Sequence, residues 1–219
     1  MNMSRLDRSR RPSKKLAQGT RFLVVVEGQV TEKEYIDAIR RTRRVNKGAI
    51  CIEVGYTDPI SIVKRAKKIQ GNLLKPDKFE QVWCVFDVEA NVSQRARCGL
   101  AEALDTASRT SNRQHLQCAV SNPCFEIWLL WHATDQTAPI GSANVQRQCQ
   151  SQGITSGRDG KRLQNPEILI RNGLQSARTR AIAMEDTHDK NRSTTPEDRN
   201  PSSGVFKLID AIYAAFPPR

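Results

Sequence analysis

Phe22-Leu23-Val24-Val25-Val26-Glu27-Gly28-Gln29-Val30-Thr31-Glu32-Lys33-Glu34 is the stretch on which the fold turns. Its first five residues form an unbroken apolar run rich in β-branched side chains, as expected of a strand covered on both faces in a parallel sheet. The run stops at Glu27-Gly28. Thr31 then reads as an N-cap with Glu34 three residues on, a capping box. Tyr35, Ala38 and Ile39 give the following helix an apolar stripe. A strand, a turn and a helix follow one another within about 20 residues, the opening of an α/β unit.

The same pattern recurs downstream. Ile50 to Val54 alternates as a strand does, and Asp58-Pro59 supplies an N-cap with proline at the first helical position. Ile62, Ala66 and Ile69 stripe that helix, with Lys64, Arg65, Lys67 and Lys68 on the opposite face. Gln81 to Phe86 is a third strand, ending in Asp87-Val88-Glu89, and Ala96, Leu100, Ala103, Leu104 and Ala107 space a third helix. Leu116 to Val120 is a fourth strand, which runs through Ser121-Asn122-Pro123 into an apolar helix from Cys124 to His132. This alternation predicts an α/β fold: a mostly parallel sheet flanked by helices, with right-handed crossovers. Three regions follow: a basic, flexible, disordered tail over 1–21, an α/β core over 22–135, and a loop-rich and helical C-terminal extension over 136–219 packing on the same domain. Within the extension, Gln136 to Asn165 is polar and weakly patterned and predicts a long loop. Helices are expected from Pro166 to about Met184 and from Val205 to Phe216, with a charged loop between them.

Lys and Arg number 35 against 23 Asp and Glu, a formal charge of +12, and residues 1–21 hold half of that surplus. A polyanionic partner is one expectation, because phosphate contacts release counterions without needing sequence information; a merely solubilising tail is the other. No apolar run approaches the roughly 18 residues that span a bilayer, and no signal-peptide core follows the basic start. The expectation is a cytoplasmic chain with no membrane partner. None of the six cysteines forms a CxxC pair, and Cys51, Cys84 and Cys118 lie in strand-like runs. They read as buried thiols in a reducing compartment, not as disulfides or a zinc site.

Ligands of open α/β sheets bind beyond the carboxyl ends of the strands, where the strand order switches. Glu27 follows the first strand, and Asp87 and Glu89 follow the third with Val88 between them, so both acids of this extended segment point the same way. If the two strands are neighbours, three carboxylates converge, and a divalent cation is the simplest way to hold them together. Oxygen-only ligation favours Mg²⁺ or Mn²⁺, and the chemistry this allows is phosphodiester cleavage. Acids after strands also commonly cap turns. Glu126, the only charge in its apolar helix, either faces this edge or faces solvent, with the site preferred. Asn122-Pro123 reads as an N-cap and first helical residue, His132 as a helix-end residue facing the dipole, and Asn200-Pro201-Ser202-Ser203 as a cap for the last helix. Lys33 either steadies a phosphoryl group beside Glu27 or is an exposed lysine.

Four ordered motifs carry a family resemblance: Glu27-Gly28-Gln29-Val30-Thr31-Glu32; Phe86-Asp87-Val88-Glu89; Ser121-Asn122-Pro123-Cys124-Phe125-Glu126-Ile127-Trp128-Leu129-Leu130-Trp131-His132; and Asn200-Pro201-Ser202-Ser203-Gly204-Val205-Phe206-Lys207-Leu208. Together they resemble the RloB family, to which the AbiLii-like abortive-infection proteins belong. The resemblance implies a Toprim-like fold, the Mg²⁺-binding domain of topoisomerases, primases and OLD-type nucleases. It also implies a role in bacterial defence against phage, often beside an ATPase partner. By this resemblance Glu27 ends the first Toprim strand and Asp87 and Glu89 fill the D-x-D position, with Val88-Glu89-Ala90-Asn91 standing where the family usually shows a further Asp-rich stretch. The leading expectation is therefore a metal-dependent, Toprim-type endonuclease. Glu27, Asp87 and Glu89 would bind Mg²⁺ or Mn²⁺, and Glu126 would join them in catalysis. The basic tail, Lys33, Lys64, Arg65, Lys67 and Lys68 would hold DNA or RNA. The alternative is a catalytically weak subunit that binds nucleic acid or a partner ATPase.

Overall fold

Phe22–Val26 forms β1, and all five of its side chains are buried. In a computed structural model that describes residues 20–56, 58–74, 77–88, 94–109 and 116–217, it sits inside a five-stranded sheet. The chain continues through α1 (Thr31–Thr42), β2 (Ile50–Glu53), α2 (Pro59–Asn72), β3 (Gln81–Asp87), α3 (Gln94–Ser108), β4 (Leu116–Asn122) and the short α4 (Glu126–Leu130). Then come α5 (Ser142–Ser151), a small hairpin of β5 (Thr155–Ser156) and β6 (Arg162–Leu163), α6 (Pro166–Lys190), a 3-10 turn at Pro196–Asp198, β7 (Ser202–Ser203) and α7 (Val205–Ala215). The basic tail expected over 1–21 lies almost wholly outside the described residues, as does Glu89.

The sheet order is β2-β1-β3-β4-β7, with the first four strands parallel and β7 antiparallel to β4. The mostly parallel α/β sheet flanked by helices is thus the architecture observed. Alternation along β1 divides the core between the two faces of the sheet. Phe22, Val24 and Val26 join Tyr35, Ile36 and Ile39 of α1 and the buried residues of α4, α6 and α7. Leu23 and Val25 face the other way, onto Ile62, Val63 and Ala66 of α2 and Leu100 and Ala103 of α3. The order reverses between β1 and β3, since β2 lies on one side of β1 and the later strands of this sheet, β3, β4 and β7, on the other. That reversal opens a crevice at the carboxyl ends of β1 and β3.

Several local expectations are corrected. Residues 136–165 are not one long loop: Val145 and Cys149, four residues apart, are buried and give α5 its stripe beneath a polar Gln-rich surface. Helix α6 runs past Met184 to Lys190 because Ala177, Ala181, Met184 and His188 continue one buried face under an acidic exterior. Asp58 does cap α2, its side chain accepting the Ser61 N–H at 2.9 Å. Thr31 caps nothing. Val30 holds the cap position of α1 without a side-chain bond, while Thr31 Oγ1 donates to the Lys161 carbonyl at 2.8 Å and Glu34 accepts the Leu163 N–H at 2.8 Å. Asn122 is no cap either. It ends β4, and its Nδ2 donates to the carbonyls of Pro196 at 2.8 Å and Glu197 at 3.2 Å, ahead of a cis bond to Pro123. Asn200 pairs both its amide atoms with the backbone of Ile140, Ser202-Ser203 form β7, and Ser203 Oγ accepts the N–H of Val205, the first residue of α7, at 3.4 Å, so of this turn only Ser203 bonds the helix end.

His132 is buried beneath α4, and burial pushes its pKa down to about 4. Its Nδ1 lies 2.9 Å from the Trp128 carbonyl, so that nitrogen carries the proton, and Nε2 accepts from the Tyr35 hydroxyl at 2.9 Å. A neutral imidazole does not complement a helix dipole as a cation, and both of its nitrogens are taken up inside the core. Gly173 of α6 packs on it so closely that an added Cβ would stand 2.5 Å from the His132 carbonyl oxygen.

A group whose folded pKa is depressed binds fewer protons folded than unfolded, so its contribution to stability is complete above its ordinary value near 6.5 and is lost as pH falls towards 4. This is on the order of 3 kcal/mol at about 1.4 kcal/mol per pKa unit. Thermal unfolding of the native chain and of His132→Gln, followed from pH 7 to 4.5, should show the gap between them narrowing by that amount. Parallel curves would rule out His132 as the acid-sensitive group.

Candidate functional site

Four acidic side chains arrive at the crevice from four different segments. Glu27 follows β1 directly, its own N–H bonded to the Val85 carbonyl of β3 at 3.1 Å, and its Oε2 accepts the Asp87 N–H at 3.1 Å. The register that pairs Val26 with Val85 places these two acids side by side. Asp87 closes β3 opposite Ser121 of β4. Glu126 opens α4 and Glu32 is the second residue of α1, each only 6% exposed. Glu32 Oε1 accepts the Gly28 N–H at 3.0 Å, and its carboxylate lies so close over the turn that a Cβ on residue 28 would stand 1.9 Å from it. Gly28 is the residue that leaves that space open.

All four line one cavity of about 550 Å³, together with Thr31, Tyr56, Cys124, Gln146, Asp159 and Lys161. Burial pushes the Asp87 carboxyl well above the usual carboxylate range, and the nearby charges of Glu32, Glu126 and Glu27 push it further. Its Oδ1 is sealed from solvent and has no hydrogen-bond partner. Burial likewise raises Glu32, with repulsion from Glu126 adding to it against the bonds from backbone N–H groups. Among the described residues no three His, Cys, Asp or Glu side chains close tightly enough on one point to grip a metal ion as they stand. The carboxylates ring the cavity instead.

A family model described as RloB-like protein matches residues 22–212, nearly the whole chain. The chain belongs to the RloB-like family. No curated protein matches it. In this RloB-like chain the crevice gathers Glu27, Asp87 and Glu126 of the acids expected from sequence, with Glu126 facing the cavity rather than solvent. The expected basic residues are elsewhere. Lys33 is exposed and does not line the cavity. Lys64, Arg65, Lys67 and Lys68 ride on α2, which covers the sheet face opposite α1; Lys64 lies 3.8 Å from Glu102, and Arg65 grips Glu53 at 2.6 Å. Sequence reasoning missed Glu32 and Lys161. Glu32 stood in a quoted motif, hidden by the capping reading of its neighbours, whereas nothing around Lys161 signalled a site. No helix among the described residues is long and apolar enough to cross a membrane.

Raised carboxyl pKa values act on stability with the opposite sign to His132. Folded Asp87 holds a proton that the unfolded chain has already released above its ordinary value of 3.8, so stability is lost as pH rises through the carboxylate range. In EDTA, Asp87→Asn should therefore melt above the native chain at pH 7, by about 2–4 °C for each kcal/mol relieved. The gap should close near pH 4. A variant that melts lower than the native chain at pH 7 would show that Asp87 is not under electrostatic strain.

Proposed function

We propose that this RloB-like chain is a divalent-metal-dependent nuclease with a Toprim-like core, hydrolysing phosphodiester bonds of a nucleic acid in bacterial defence against phage. The observation that carries the enzymatic part is the sealed, unpartnered Oδ1 of Asp87 among three further carboxylates at the switch point of a parallel sheet. A sealed carboxyl oxygen without a partner disfavours the anion, and a cation beside it would offset that cost. The donor set is oxygen only, which fits Mg²⁺ or Mn²⁺. Glu27 and Asp87 would hold the ion, with Glu32 or Glu126 completing the set. Bound there, the cation supplies Lewis-acid polarisation of a phosphoryl oxygen and a more acidic water. The chain's own part is to hold the acids in place: the Asp87 N–H fixes the Glu27 carboxylate, and the Gly28 N–H fixes that of Glu32. The defence role rests on the family alone. A second reading, a nucleic-acid- or ATPase-binding subunit with weak metal affinity, is favoured by the open spacing of the carboxylates.

The purified chain and its Asp87→Ala variant, incubated with plasmid, oligonucleotides and total RNA in Mg²⁺, Mn²⁺ or EDTA, separate the two. Cutting that needs the metal and disappears in the variant is the expected result; cutting that survives EDTA or the substitution would refute the assignment. In parallel, Mn²⁺ at about 100 times its Kd should stabilise the native chain by about 2.7 kcal/mol and leave Asp87→Asn unmoved. Metal-independent melting with no cleavage would favour the binding subunit.

A further inference from the structure

We infer that Lys161 is the residue of this cavity that contacts a substrate phosphate. The inference rests on the reading of the site as one that takes a phosphodiester. Among the described residues Lys161 is the only cationic side chain lining the cavity, and its ammonium forms no ion pair within 4.0 Å with any described carboxylate. Its charge acts on Glu32 without a direct ion pair, so its donors stay available for an incoming anion.

Its backbone, by contrast, is held from several sides. The Lys161 carbonyl accepts from Thr31 Oγ1 at 2.8 Å, and its N–H donates to Asp159 Oδ1 at 3.2 Å. Two residues on, the Leu163 N–H is bound by Glu34 at 2.8 Å, and the Gln164 N–H donates to the Ile154 carbonyl at 2.9 Å. The hairpin of β5 and β6 is thereby fastened to the first turn of α1, the turn that also carries Glu32. Gly157 and Gly160 take left-handed backbone angles of +91° and +64° at the tip, which lets the chain reverse tightly there. The result is a charged side chain on a fixed stem at the wall of the cavity that holds the acids, its charge acting on Glu32.

An anion cannot settle against four carboxylates on its own. A phosphate can, if a metal ion and an ammonium neutralise it from two sides, and Lys161 is the ammonium in position to do so. Lys33, which the sequence offered for this role, lies outside the lining.

Binding of fluorescein-labelled single-stranded and duplex oligonucleotides, DNA and RNA, in Ca²⁺ tests this without requiring turnover. Lys161→Ala should weaken binding by about tenfold or more, the range of a lost charged hydrogen bond. It should also flatten the salt dependence by roughly one phosphate contact. Lys161→Arg should bind within a few-fold of the native chain, and Lys33→Ala should bind as the native chain does. Mn²⁺ should still raise the melting temperature of Lys161→Ala, which separates phosphate contact from metal holding. Unchanged binding in Lys161→Ala, an equal loss in Lys33→Ala, or a native chain that binds no probe would each overturn the assignment. A native chain that cuts nothing yet binds oligonucleotides through Lys161 would leave the assignment standing and remove the nuclease reading.

Discussion

Repulsion among Glu27, Glu32, Asp87 and Glu126 is the constraint on which the rest of this edge depends. Four acids from four segments do not gather in one cavity by default, because each raises the cost of ionising the next. The backbone imposes the gathering. The parallel register sets Glu27 beside Asp87, the turn after β4 delivers Glu126, and the absence of a side chain at Gly28 lets the Glu32 carboxylate fold back over its own turn. The packed core on both faces of β1 holds these segments where they are. A strained acidic edge on a well-packed sheet is an arrangement that commonly marks a functional site.

The sheet was legible because β1, β3 and β4 announce themselves as apolar runs, and the acids at their ends could be named with them. The adjacency of β1 and β3 was a condition in the sequence and is a fact in the structure. Local signals read well where the partner is local, as Asp58 shows in capping α2. They misled where a distant partner competes. Thr31 and Glu34 satisfy the capping-box pattern, but a hydroxyl and a carboxylate bond whichever backbone group is held against them, and here these belong to Lys161 and Leu163, about 130 residues away. Asn122 failed as a cap in the same way, drawn off by carbonyls of the 3-10 turn. Hydrophobic pattern was also too sparse to show α5, whose buried stripe is two residues wide.

Burial explains which polar residues belong to the site and which to the core. His132 and Tyr35 satisfy one another and the Trp128 carbonyl, packed edge-on against the Trp128 and Phe125 rings, so their polarity is spent on holding α4 to α1. Asp87 differs in having a sealed oxygen with nothing to bond. A buried polar atom without a protein partner is rare and marks a place the fold holds under strain. Trp128 Nε1 and Thr155 Oγ1 share that condition, but neither stands among converging charges.

The family match over residues 22–212 takes in α5, the hairpin, α6 and β7 as well as the four βα units, so the extension belongs to the family unit and is no appendage. Electrostatics gives it a purpose. The chain as a whole carries +12, a field that draws polyanions from a distance, whereas the cavity itself is lined by five acids counting Asp159. On the proposed reading, a nucleic acid drawn to the surface would be repelled at the cavity where cleavage would take place. Local cations must reverse that repulsion, and the described chain brings just one of its own to the cavity wall, on the hairpin that the extension supplies. On that reading, long-range attraction and local repulsion together would make entry conditional on added positive charge, so that a basic protein could hold a polyanion without committing its acidic cavity to it.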